Sequence, residues 1–308
     1  MTSILDIPGD NLPNPFLVTF IFVFTSTSLG ALDKIADQIV GTVTVSSDPN
    51  TTLYELWDAF FTTVVTHPNS HSALLIFLGH LKAQSPTTPA NVRLGSNIES
   101  YLRSHLQRDG SIHWSLLPGY HSQWRETYDI LEAWRDWDGV RASGAPNLDC
   151  PVATYFLRFC NFSAAELKAT NAERQKALTM CVFNAGRDVL ERSEAKPQQA
   201  GPHRISSDQL WALVVRVTAT WLRDGARTVW ETDSEALRRY WTAALEEETD
   251  LWPRKDGLTK ERWRLWLDRI RLLATDQEHF DQMTRVIIAE AADVVGELLQ
   301  CDPFQQSA

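Results

Sequence analysis

The sequence predicts an all-α protein, a single-domain bundle of about ten helices. Three observations point there. Apolar residues recur at three- and four-residue spacing in one segment after another, while no segment sustains the period-2 alternation of a half-buried strand. Three capping-box patterns punctuate the chain: Thr52-x-x-Glu55, Ser96-x-x-Glu99 and Thr232-x-x-Glu235. The Asp-Gly pairs at 109–110, 138–139 and 256–257 fall between helical segments and not between two β-like runs.

Residues 1–50 read as an N-terminal extension, and 51–308 as the helical domain. Within the extension, residues 1–30 look irregular and carry an apolar run, Phe16 to Phe24. A short helical pattern follows at Leu32, Ile35 and Ile39, then a Ser/Thr-rich connection from Gly41 to Asn50. Leu53, Leu56, Trp57, Phe60 and Val64 form the first strong helical face, which Pro68 ends. Leu74, Leu75, Phe77, Leu78 and Leu81 make its hairpin partner. Ile98, Leu102 and Leu106 predict a helix closed by Gly110. A loop over 111–122 carries His113, Trp114 and Tyr120, before a helix from Trp124 to Trp137. After a Gly/Pro/Asp-rich linker come helices over 152–169 and 172–191 and a surface loop over 193–202. Leu210 to Leu222 is apolar nearly all round and reads as the central buried helix. Leu237, Tyr240, Trp241 and Leu245 follow. Thr259 then caps a helix with a Trp263, Trp266, Leu267, Ile270, Leu273 seam and a charged row of Glu261, Arg264, Asp268 and Arg271. Phe280 to Leu299 is the last helix.

Composition narrows the function. With 308 residues, 44% hydrophobic and 22% charged, the chain can bury a large core. Its formal net charge of -10 argues against nucleic acid and anionic membrane surfaces, which call for basic patches. The run from Phe16 to Phe24 is too short for a stable membrane span and has no basic residue before it, so it reads as a buried or partner-facing segment, with a weak membrane-associating or signal-like segment as the second reading. Cys150, Cys160, Cys181 and Cys301 include no Cys-x-x-Cys pair, which argues against zinc and fits reduced thiols in the cytoplasm.

Three stretches carry a family resemblance. Leu53 to Ala83 resembles an opening helical hairpin, and Phe159 to Leu167 resembles an Asn-x-x-Ala-Ala-x-Leu helix. Leu251 to Leu267 resembles a Leu-Trp-x-Gly-x-x-Gly-Phe-Ser-x-Glu-Arg-Trp-x-x-Trp signature, with Leu258-Thr259-Lys260 in place of Phe-Ser-x and Lys255-Asp256 ahead of Gly257. Together, over roughly residues 52 to 300, they resemble a family of fungal all-helical proteins filed as a domain of unknown function. The resemblance implies a helical fold, a fungal intracellular origin and, because some relatives stand beside natural-product pathways, a small-molecule role. It implies no catalytic residues.

Motifs for nucleotide cradling and for an α/β-hydrolase elbow are missing from the sequence. The acidic stretches Asp136-Trp137-Asp138 and Glu246 to Asp250 lack the Asp-Asp-x-x-Asp form expected for magnesium and diphosphate, and His67 and His71 are separated by Pro68. No cofactor and no metal is expected. What stands out is polar residues inside apolar helices: Arg158 and Asn161, then Asn184 and Arg187, then Arg216. A buried arginine needs a partner, which is either structural or a ligand carbonyl.

Two functional expectations follow. One is a cofactor-independent cyclase or isomerase of fungal secondary metabolism, binding an apolar small molecule in an aromatic-lined cavity. Arg158, Asn161, Asn184 and Arg216 would be its donors, and His113, Trp114, Trp211, Trp221 and Trp266 its substrate-binding residues. It requires a cavity of roughly 300 Å³ or more. The other is a non-catalytic scaffold with a protein partner, which requires a filled core and an exposed apolar patch.

Overall fold

The computed structural model describes residues 14–25, 29–90, 106–137, 152–169, 176–193, 204–232 and 234–300. Among these residues the protein is all-α, with eleven α-helices, two short 3-10 turns and no strand. The helices are α1 (Pro15–Thr25), α2 (Leu29–Val45), α3 (Pro49–Thr66), α4 (His71–Lys82), α5 (Tyr120–Trp134), α6 (Val152–Ala169), α7 (Lys176–Leu190), α8 (Ser207–Glu231), α9 (Ser234–Leu245), α10 (Lys260–Ala274) and α11 (Gln282–Gln300). The chain divides into two compact units, one of residues 1–135 and 139–159, the other of 136–138 and 160–308.

The first unit is built on α3. The apolar run that reads as irregular in the sequence is helical. Pro15 opens α1, and the Asn14 side chain both accepts from the Phe16 N–H at 3.0 Å and donates to the Glu55 carbonyl at 2.8 Å. Phe16, Phe20 and Val23 are buried, with Phe20 meeting Phe60 and Phe77 edge to face at 5.5 and 5.6 Å. The helix begins at Asp48-Pro49 and not at Thr52: Asp48 accepts from the Thr51 N–H, and Thr52 turns its hydroxyl to the Asp48 carbonyl. Trp57 donates to the Pro118 carbonyl at 2.6 Å, which pins the turn leading into α5. That turn uses positive φ at Leu117 and Gly119. Residues 96–105 of the expected Ser96–Gly110 helix lie outside the described residues. Leu106 is extended and bridges Ile112, as does Thr87.

In the second unit α7 and α8 run antiparallel, and Thr218 donates to the Ala185 carbonyl. Gly225 lets α8 approach; an added Cβ would meet Leu167 and Val182 at 2.6 Å. The central helix is longer than its apolar stretch, 25 residues, because a Ser206–Gln209 capping box starts it upstream. Thr232, which reads as an N-cap, is instead the C-cap of α8. Helices α8 and α11 lie parallel. Arg216 donates to the Met283 sulfur, Arg223 pairs with Glu290 and Arg227 with Glu297, so partners advance together along both helices.

Candidate functional site

The best-defined polar cluster lies where the Leu251–Leu273 stretch meets the end of α7. Thr259 caps α10 by accepting from the Arg262 N–H, as its position in the sequence predicts. This turns Arg262 inward, where its side chain and that of Glu191 are both fully buried. Arg262 binds Glu191 through Nε at 2.6 Å and Nη2 at 2.8 Å, and its Nη1 donates to the Leu245 and Gly257 carbonyls, both at 2.9 Å. Trp266 donates to the same carboxylate at 2.7 Å, and Thr249 also reaches it. The guanidinium lies 4.8 Å from the centre of the Phe183 ring and 5.8 Å from that of Trp252. An ion pair in an apolar interior is tolerated only when its hydrogen bonds are filled in this way. The arrangement is closed: it holds a fold together and offers no atom to a reactant.

The residues singled out in the sequence fall in both units. Arg158 lies in the first unit, donates to the Val65 carbonyl at 2.8 Å and sits over Tyr155. It thereby neutralises the carbonyl end of α3, beside His71, which contacts the Val64 carbonyl. Trp114, also in the first unit, is fully buried and donates to Thr87, while His113 beside it is half-buried. In the second unit Trp221 and Trp266 are buried and packed, Trp266 against Trp263 at 4.9 Å and Phe183 at 6.0 Å. An added Cβ on Gly186 would meet the Trp266 ring at 2.8 Å, so no space separates that indole from α7. Asn161, Trp211 and Asn184 are half-buried, and the Asn184 Oδ1 is buried without a hydrogen-bond partner. Arg216 touches the Met283 sulfur at 3.1 Å. Its charge, with that of Arg285, helps hold the Asp281 carboxyl below its ordinary range, after the larger effect of the Thr284 N–H and hydroxyl. Of the predicted donors, Arg158 and Asn161 share α6 while Asn184 lies on α7 and Arg216 on α8, and the two arginines have protein partners. Among the described residues no group of three or more His, Cys, Asp or Glu could hold a metal ion, and no helix is long and apolar enough to cross a membrane.

Part of the described surface is apolar. At the start of α11, Met283 is 62% exposed and Val286 51%, on the stripe that continues as Glu290, Asp293 and Glu297. In the first unit a cleft of about 130 Å³ is lined by Gln107, Leu116, Leu117, Pro118, Gly119, His121 and Ser122.

Fold and cluster define an all-helical protein whose most conspicuous sequence stretch is a structural clasp around a buried arginine. Residues 57–270, a span that contains both Glu191 and Arg262, match the family described as "Protein of unknown function (DUF3632)", and the chain belongs to that family. No curated protein and no solved structure matches it.

Proposed function

We propose that the chain is a non-catalytic helical interaction protein, which docks a protein partner on the outward stripe at the start of α11. The observation that carries this reading is the filled interior around the tryptophans that would otherwise wall a ligand cavity. Trp114, Trp221 and Trp266 are each at most 1% exposed, and Trp266 lies in direct contact with Gly186. A binding protein needs a rigid scaffold and a desolvatable apolar patch, and Met283 with Val286 supplies one beside Arg216. A partner side chain that is apolar and flanked by a carboxylate would suit that surface.

A small-molecule role, including the cyclase or isomerase chemistry, stands second. The cleft at Gln107 and Leu116–Ser122 favours it, but about 130 Å³ is well short of the roughly 300 Å³ a typical ligand pocket offers. Native mass spectrometry of the protein purified from its own cells separates the two readings. The expected result is a complex with a second protein that is lost in the Met283→Glu, Val286→Glu double variant. A stoichiometric apolar metabolite with no protein partner would overturn the interaction reading.

A further inference from the structure

We propose that the contact between α3 and α5 is a proton-responsive seam, in which protonation at Asp58, facing Glu126, seats α5 on α3 and loss of that proton lets α5 open. Helical spacing builds the two faces. Tyr54 and Asp58 are four apart, and Glu55 and Asp58 three apart, on α3; Gln123 stands three and four residues before Glu126 and Thr127 on α5. The faces meet through a side-chain hydrogen bond between Tyr54 and Gln123, the latter only 4% exposed. Asp58 Oδ1 and Thr127 Oγ1 are both buried without a hydrogen-bond partner, so the seam is polar yet incompletely satisfied.

The charges that face Asp58 are Glu126 from α5 and Glu55 from its own helix, both negative. The other helices packed on α3 bring no charge that offsets them. Helix α1 has no titratable side chain; on α2, Asp33 is engaged by His80 while Lys34 and Asp37 are exposed; Arg158 of α6 is engaged at the Val65 carbonyl. Burial, then Glu126, then Glu55 push the Asp58 carboxyl up to about 6. Burial, then Glu126, then Asp58 itself raise the Tyr54 hydroxyl. Opening returns Asp58 to water, where a carboxyl titrates near 4. Between those values the closed seam holds a proton that the open one does not, so falling pH favours closure. From pH 7.5 to pH 5.0 the opening constant should fall about tenfold by this linkage.

Hydrogen exchange of the full chain, corrected for intrinsic rates, reads this helix by helix. The wild-type α5 amides should open about tenfold more readily at pH 7.5 than at pH 5.0. In Asp58→Asn they should be protected at both pH values, and Glu126→Gln should raise their protection at pH 7.5. Helices α8 and α11 should not respond. The proposal is overturned if Asp58→Asn keeps the wild-type pH dependence, or if the change spreads equally to α8 and α11. Should a variant fail to fold, the carboxyl carbon of Asp58 in the wild type can be titrated by NMR: a midpoint near 6 is expected, and one near 4 overturns the proposal.

Discussion

Glu191 and Arg262, 71 residues apart in the chain, are both inaccessible to solvent and meet through two hydrogen bonds of 2.6 and 2.8 Å. Removing one partner strands the other charge in the interior. Arg262→Met should therefore destabilise the protein by about 3–5 kcal/mol, and Glu191→Leu by a similar amount. The double variant should cost at least about 2 kcal/mol less than the two singles added together, because neither charge is then left alone. Lysine at 262 cannot reproduce the fork that serves Glu191 and the Leu245 and Gly257 carbonyls together, so Arg262→Lys should not rescue. Urea unfolding followed by tryptophan fluorescence measures all four, and equal, additive losses would contradict the clasp.

Two glycines should respond oppositely to alanine. At Gly186 the new methyl would lie 2.8 Å from the Trp266 ring, whose indole is itself tied to Glu191 and cannot move aside freely. Gly186→Ala should cost about 1–3 kcal/mol. Gly79 is exposed inside α4 and has nothing within 4 Å of its Cβ position. There Gly79→Ala should gain about 0.5–1 kcal/mol by restricting the unfolded chain. Thermal unfolding of the pair checks the sign of each.

How much was legible in the sequence follows from which interactions are local. The seam of Trp263, Trp266, Leu267, Ile270 and Leu273 and the Thr259 cap are properties of one helix, and both are found where periodicity puts them. Helix α1 leaves no period in the sequence because its run is apolar at nearly every position. Arg262 lies between the two rows that the pattern picks out, and its partner is 71 residues away, so nothing local marks it. Asp58 and Glu126 are unremarkable residues on two amphipathic helices; only packing makes them neighbours. Arg158 stands out in the sequence because it is charged within an apolar helix, but its partner, a backbone carbonyl at the end of α3, leaves no trace there.

The start of α3 shows the same limit and yields a test. The Thr52-x-x-Glu55 pattern fits a capping box, yet the hydrogen bonds go to Asp48, whose two carboxylate oxygens take the Thr51 N–H at 3.1 Å and hydroxyl at 2.7 Å. These bonds, the hydroxyl foremost, hold the Asp48 carboxyl below its ordinary range. Asp48→Ala should cost about 1 kcal/mol, and Thr52→Ala clearly less, in matched chemical denaturation. A larger loss at Thr52 would place the cap where the pattern suggested.

His71 gives a pH dependence opposite in sign to that of the α3–α5 seam. Burial, the largest influence, and the nearby Arg158 charge hold its imidazole below the usual 6.5, although the Val64 carbonyl pulls the other way. In the unfolded chain the ring takes up its proton first as pH falls, so the unfolded state binds more protons near and below pH 6.5. Stability from this residue is full above that value and is lost on acidification. Asp58, raised by burial, loses stability as pH rises through about 6. The two effects oppose each other across the mildly acidic range. Replacing one titrating group exposes the other. His71→Gln should leave a protein that melts higher at pH 5 than at pH 7.5, and Asp58→Asn one that melts lower at pH 5 than at pH 7.5. Melting curves at the two pH values decide this, and identical pH trends in the two variants would show that at least one of the groups titrates normally in the folded chain.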